Sequence, residues 1–180
     1  FSSSKIINQT SLNISKEQKI FINKIRKKQE FNNDKKISSV MNSFSNLKVL
    51  VIGETIIDEY VYCEALGKSG KEPVLALRDL RTEEYLGGAA ALSRHMSTFC
   101  KKITLVSMIG EKGDYLNKIK QKLPKNVKFQ YIKKKNSPTI LKRRFLDNVN
   151  KNKVLGVYKI NDEILSKKQD KVFCNKLKKM

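Results

Sequence analysis

An α/β fold, with a parallel core sheet and a separate small β-sheet over a cleft, is what this chain of 180 residues predicts. Three observations carry that expectation. Two short, largely apolar runs, at 49–52 and 103–109, read as strands buried on both faces, and a helical stretch lies between them. The glycine pair Gly87-Gly88 stands where a strand should hand over to that helix. Strand-like segments at 74–86 and 139–160 have no place in the strand–helix–strand order of the core, so they are assigned to the small sheet, a lid.

Taken in order, residues 1–45 differ from everything after them: they are polar and contain no glycine. Ser15, followed by Glu17 and Gln18, is placed to cap a helix whose narrow apolar stripe is Ile20, Phe21, Ile25 and Ile22. A second short helix is expected at 35–44, with Ile37, Val40, Met41 and Phe44 at helical spacing. From Lys48 the pattern changes. A first strand at 49–52 ends at Gly53, and short strands at 74–77 and 82–86 flank Arg78-Asp79-Leu80-Arg81 as a hairpin. A helix is expected at 88–100, with Ala89, Leu92, Met96 and Phe99 on one face. A buried strand at 103–109 follows, then a helix at 114–123 stopped by Pro124, and an alternating strand at 127–132. Strands at 138–147 and 153–160 are joined through Asp147-Asn148-Val149-Asn150, whose residue types suit a turn, and the chain is helical again from Ile164.

Composition excludes several classes. The net charge of +21 raises nucleic acid as a partner, because clustered cations release counterions from phosphates. The charge, however, comes from 32 lysines and six arginines spread along the whole chain. Arginine is the usual reader of phosphate and guanine, so the lysines read as solvated surface and no nucleic-acid partner is expected. Three distant cysteines imply no disulfide framework, and the single histidine, His95, leaves no zinc cluster. No run approaches the roughly 18 apolar residues that span a bilayer. No signal peptide is visible, so no membrane association and a cytoplasmic location are expected. The first residue is Phe1, and the final CNKLKKM reads as helix without a cap; a piece of a longer polypeptide is expected.

Chemistry enters with Asp58, a few positions past the first buried strand, and with the glycine pair. Glycines let backbone amides come close to a ligand, and a carboxylate accepts hydrogen bonds from hydroxyls. A polyhydroxylated small molecule suits that combination.

Five segments carry a more specific signal: VLVIGETIIDEYVY, EPVLALRD, EEYLGGAAALSRHMSTFCKK, ITLVSMIGEKGDYL and SPTILKRRFLD. In this order and spacing they resemble the ribokinase-like (PfkB) carbohydrate kinases, and most of all their heptose-phosphate kinase branch, over about 46–163. The resemblance implies a three-layer α/β/α core with a small β-sheet lid, truncated, and ATP-dependent phosphoryl transfer to a sugar hydroxyl. By position, Asp58 matches the acid that binds sugar hydroxyls, and Gly87 and Gly88 match the pair bordering the sugar. Lys142 and Arg144 match basic lid positions near the phosphate of a sugar-phosphate substrate, although a solvated strand face would use the same residues. Glu163 matches a carboxylate near the lid hinge.

The sequence also departs from that pattern. Ala91 stands where an asparagine usually donates to the substrate, His95 replaces a polar position four residues on, and Glu54 stands where aspartate is common. An altered sugar specificity is implied. His95 shares a helix side with Ala91, yet an ordinary buried or surface histidine fits it equally. The catalytic aspartate and most residues for ATP and Mg2+ are expected beyond residue 180, leaving 1–180 inert alone. A homodimer through the lid is expected from its exposed strand edges. FSSSKIIN is similar to the end of a cytidylyltransferase-class domain, and Ser2, Ser3 and Ser4 would serve equally as an N-cap cluster. The organisation expected is therefore a nucleotidyltransferase end at 1–9, a helical linker at 10–45 and the first part of a PfkB-type kinase at 46–180. A non-catalytic sugar-binding or regulatory homologue is the alternative.

Overall fold

The structure, a computed structural model, describes residues 15–27, 34–160 and 164–179. The expected nucleotidyltransferase end at 1–9, with Ser2, Ser3 and Ser4, and Glu163 lie outside the described residues. The chain divides into two compact units, Phe1–Phe44 and Ser45–Met180.

The first unit holds helices α1 (Lys16–Lys27) and α2 (Asp34–Phe44). Ser15 opens α1 through a reciprocal cap: Gln18 N donates to Ser15 Oγ at 3.1 Å, and Ser15 N donates to Gln18 Oε1 at 2.8 Å. Two donors that a helix start leaves unpaired are thereby satisfied. Of the apolar stripes read from the sequence, Ile20, Phe21, Val40, Met41 and Phe44 are exposed.

The second unit is built on one long strand. β1 (Lys48–Lys68) runs unbroken for 21 residues and serves two sheets in turn. Its first part, 48–54, pairs in parallel with β3 (Lys102–Gly110), which pairs in parallel with β4 (Val127–Lys134). Beyond Thr55 the same strand enters the lid. There it pairs antiparallel with β2 (Leu75–Gly87) and in parallel with β5 (Ile140–Asp147), and β5 pairs antiparallel with β6 (Lys153–Lys159). Strand order across the lid is therefore β2-β1-β5-β6.

Two sequence expectations are corrected here. The strand does not stop at Gly53, because Ile57, Glu59, Val61 and Cys63 alternate buried against half-buried Asp58, Tyr60 and Tyr62. That period of two is a strand signal, masked in the sequence by the adjacent acids Asp58 and Glu59. Nor is Arg78-Asp79-Leu80-Arg81 a turn: it lies inside β2, where Arg78 pairs with Glu64 across the strands at 3.2 Å. The turn sits at 69–74 instead, closed by Ser69 N donating to Val74 O at 2.9 Å.

Helix α3 (Gly88–Met96) and helix α4 (Leu116–Lys122) pack one face of the core sheet. Ala89, Ala90 and Ile119 meet Ile103, Leu105 and Val127 there, with Val49 and Val51 beside them. Both helices are shorter than the sequence predicts. α3 gives way to tight turns at 97–99, and α4 starts after Tyr115, whose φ of 66° is outside helix geometry. Helix α5 (Lys167–Lys178), capped by Ser166, flanks β4 on the Gln130 side. Its Gln169 Nε2 donates to Lys133 O at 3.2 Å and its Lys176 Nζ to Tyr131 O at 3.0 Å. Those bonds satisfy alternate carbonyls of an edge strand that would otherwise be open to pairing. On the second face, Leu50 and Ile52 remain 46% and 50% exposed.

The junction between the two sheets is closely packed. Gly88 has φ 58°, and a Cβ there would collide with Glu54 O. Thr55, 1% exposed, pairs with Gly88 in an isolated bridge and shares a 2.7 Å hydroxyl hydrogen bond with buried Ser107. Gly88→Ala is therefore expected to cost about 2 kcal/mol or more, since strain and backbone displacement add. Gly70→Ala, with open space around it, is expected to stay within about 0.5 kcal/mol of the parent in urea unfolding.

Candidate functional site

Residues on paired strand positions share a sheet face, so parity along β1 sorts the lid into two surfaces. Asp58, Tyr60 and Tyr62 lie on one face with their partners Tyr85, Glu83 and Arg81 of β2, and with Lys142 and Arg144 of β5. Tyr158 and Gly156 of β6 join that face opposite Lys142 and Arg144. The other face carries Ile57, Glu59, Val61 and Cys63 and is buried.

Asp58 stands at the core end of the half-open face. Its Oδ1 accepts a hydrogen bond from Arg144 Nη1 at 2.6 Å, in an ion pair whose side chains are 23% and 17% exposed. This is a diagonal pair: the register partner of Asp58 is Lys142, and the carboxylate reaches past it to Arg144. The Asp58 hydrogen bond is the main reason the Arg144 guanidinium is held above its ordinary range. On the other side of the carboxylate is backbone. A Cβ at Gly87 would run into Asp58 Oδ2, so only glycine lets the strand end lie against this acid. The nine-residue helix α3 starts one residue later.

Of the residues predicted from sequence, the structure brings Asp58, Gly87 and Arg144 into direct contact. Gly88 adjoins them but serves the junction with Glu54. Lys142 lies on the same face and has no ion-pair partner among the described residues. His95 is exposed near the far end of α3, and its backbone carbonyl accepts from Thr98 Oγ1 at 2.8 Å.

Sequence reading missed the tyrosines. Tyr62 and Tyr85 both donate to Glu83 Oε2, at 3.3 and 2.7 Å, and Arg81 pairs with the same carboxylate. Tyr60 and Tyr85 meet edge to face with centroids 5.8 Å apart. The signal was available: Tyr60 and Tyr62 have the parity of Asp58, which decides their face once the strand is known to continue. Buried groups nearby are structural. Glu59, 5% exposed, pairs with Arg143. Burial raises the Cys63 thiol and keeps it protonated, with the Asp79 charge adding to the effect. Among the described residues no group of three or more His, Cys, Asp or Glu side chains could hold a metal ion. Nor is any helix among them long and apolar enough to cross a membrane.

No protein-family model matches the chain. Relatives do. The D-beta-D-heptose 7-phosphate kinase of Bordetella bronchiseptica is 31% identical over 101 residues, which is 55% of this chain and 32% of that protein. The bifunctional protein HldE of Campylobacter jejuni subsp. doylei is 27% identical over 101 residues, 55% of this chain and 20% of that protein. In structure, the phosphofructokinase-2 of Escherichia coli in complex with fructose-6-phosphate matches with a TM-score of 0.51 at 12% identity, over 74% of this chain and 42% of that one. The chain is a homologue of heptose 7-phosphate kinase and HldE over about half its length. The described residues share the fold of the matching part of the phosphofructokinase-2. The matched stretch spans about a third or less of the length of those curated relatives.

Glu83 makes the lid sensitive to acid. The Tyr85 hydrogen bond, then Arg81, holds its carboxyl below the ordinary range. A carboxyl lowered on folding adds stability above its unfolded value and loses it as pH falls through the folded one. Tyr85→Phe is therefore expected to lower the urea midpoint at pH 7, and the gap from the parent should close as pH falls below the usual carboxylate range.

Proposed function

We propose that this chain is the sugar-binding part of an ATP-dependent sugar or sugar-phosphate kinase. The reaction is ATP plus a sugar hydroxyl giving ADP and a phosphosugar. One observation carries the reading: a carboxylate, Asp58, lies directly against the Gly87 backbone at the core end of a half-open lid face. An acceptor for hydroxyls beside a backbone with no side chain is what a polyhydroxylated ring requires. Homology to D-beta-D-heptose 7-phosphate kinase supports a phosphorylated sugar as substrate, and homology to HldE supports a bifunctional polypeptide with a nucleotidyltransferase, in nucleotide-sugar synthesis.

In this reading Asp58 orients sugar hydroxyls, Gly87 and Gly88 form the floor, and Lys142 and Arg144 draw the substrate phosphate. The β lid excludes water when the cleft closes, which strengthens every charge interaction inside it. ATP and Mg2+ would supply the phosphoryl group and its charge neutralisation. Among the described residues no group of three or more His, Cys, Asp or Glu side chains could hold that metal. The free edges of the lid, β2 and β6, support pairing with a second copy in a homodimer. A cytoplasmic location, with the lysine-rich surface solvated and bound to neither nucleic acid nor membrane, accords with a sugar-phosphate enzyme.

The test is binding to this chain. Fructose 6-phosphate and a heptose 7-phosphate are expected to raise its melting temperature, since a ligand that binds only the folded state stabilises it. Asp58→Asn should weaken binding at least about tenfold, the loss of a charged hydrogen-bond acceptor. Calorimetric titration showing no binding by the parent, or equal binding by the variant, would sink the reading. Sedimentation should show a dimer that separates when β6 carries a proline at Val157.

A further inference from the structure

Arg144 is held on more sides than an ion pair needs. Its guanidinium carbon lies 5.5 Å from the centroid of Tyr60 and 5.7 Å from that of Tyr158, both within the range of a cation–π contact. Tyr60 comes from β1, the strand of Asp58, and Tyr158 from the lid's outermost strand, β6. Tyr158 stands in register with Lys142, not with Arg144, so its ring leans along the sheet to reach the guanidinium. The residue that faces Arg144 directly is Gly156. A Cβ at Gly156 would come within 2.9 Å of the Tyr158 hydroxyl and 3.1 Å of the ring carbon that bears it. The missing side chain is therefore what gives the tyrosine its position.

The result is a guanidinium between two aromatic rings, with one N–H given to Asp58, a further hydrogen-bonding interaction with the Tyr158 hydroxyl, and no other carboxylate partner among the described residues. Arginine carries five N–H donors in a rigid fork that matches phosphate oxygens. The charges of this face add in the same direction. Arg81, Lys142 and Arg144 stand against Asp58 and Glu83, three cations to two carboxylates, and Lys142 is the unpaired one. An acceptor for a hydroxyl and a donor for an anionic oxygen thus stand side by side.

We propose that Tyr158, given its place by Gly156 and working with Tyr60, is a specificity-determining positioning residue. It keeps Arg144 beside Asp58, so that the lid face selects a sugar that already carries a phosphate over the same sugar without one. This rests on the sugar-site reading above and adds to it a role for β6, a strand outside every segment that carries the family resemblance. Tyr158 acts through Arg144 and needs no contact with the reacting atoms.

The experiment compares fructose 6-phosphate with fructose, by calorimetric titration of the 180-residue chain and its variants. The parent should bind the phosphosugar at least about tenfold more tightly, a difference of about 1.4 kcal/mol. Tyr158→Leu and Gly156→Val should each erase that preference while leaving fructose affinity within about twofold, and Tyr158→Phe, which keeps the ring and loses the hydroxyl, should retain part of it. A variant that merely loosens the lid would weaken both ligands together. Equal loss for both ligands or an unchanged preference in Tyr158→Leu overturns the inference and leaves the sugar site standing. Failure of the parent to bind either ligand overturns the sugar site itself, and this inference with it.

Discussion

The contact of the Gly87-Gly88 backbone with β1 sets the geometry of this domain. At Gly88 the chain passes so close to Glu54 O that no side chain fits, and at Gly87 it lies against the Asp58 carboxylate. Both contacts occur where β1 leaves the core sheet and enters the lid, and buried Thr55 and Ser107 bind each other at the same level. One strand shared by two sheets leaves the lid little freedom to slide, because a slip of one residue would turn every side chain to the opposite face. The Asp58 carboxylate is therefore placed by backbone packing, and its position does not depend on a mobile loop.

Charge then distinguishes the two faces of the lid. Successive residues of β1, Asp58 and Glu59, point to opposite sides and each takes an arginine from β5, Arg144 and Arg143. On the buried side, Glu59 and Arg143 neutralise each other where an unpaired charge would be costly. Nearby Tyr115 is raised above its ordinary range, mainly by burial and further by the charges of Glu59 and Glu84, so it stays neutral. On the half-open side, the diagonal reach of Asp58 to Arg144 leaves Lys142 free of an ion pair and the tyrosines in a row across three strands. The same two strands thus hold a closed pair that supports the fold and an open one suited to a ligand.

Much of this could be read from residue order. Apolar runs at 49–52 and 103–109 announced parallel strands, although 49–52 is not buried on both faces because Leu50 and Ile52 stay exposed; Pro124 marked a helix end, and Ser15 with Gln18 announced a cap that the structure shows as reciprocal. Asp58 and the glycine pair stood out by residue type, and the structure sets Gly87 against the Asp58 carboxylate and Gly88 against Glu54 O. The errors have a common cause. Gly53 and the charged run Arg78-Asp79-Leu80-Arg81 looked like punctuation, yet a half-exposed lid tolerates charge inside its strands when a neighbour answers it, as Glu64 answers Arg78.

Local residue pattern by itself determined which segments are strands and helices, which faces are apolar, and which acid and glycines are chemically special. Only tertiary structure decided that Arg144, and not its neighbour Lys142, takes the Asp58 carboxylate, and that Tyr60 and Tyr158 flank that arginine. Those outcomes depend on strand register and on the absence of a side chain at Gly87 and Gly156. The β1–β5 register joins segments more than 80 positions apart along the chain, which no local pattern encodes.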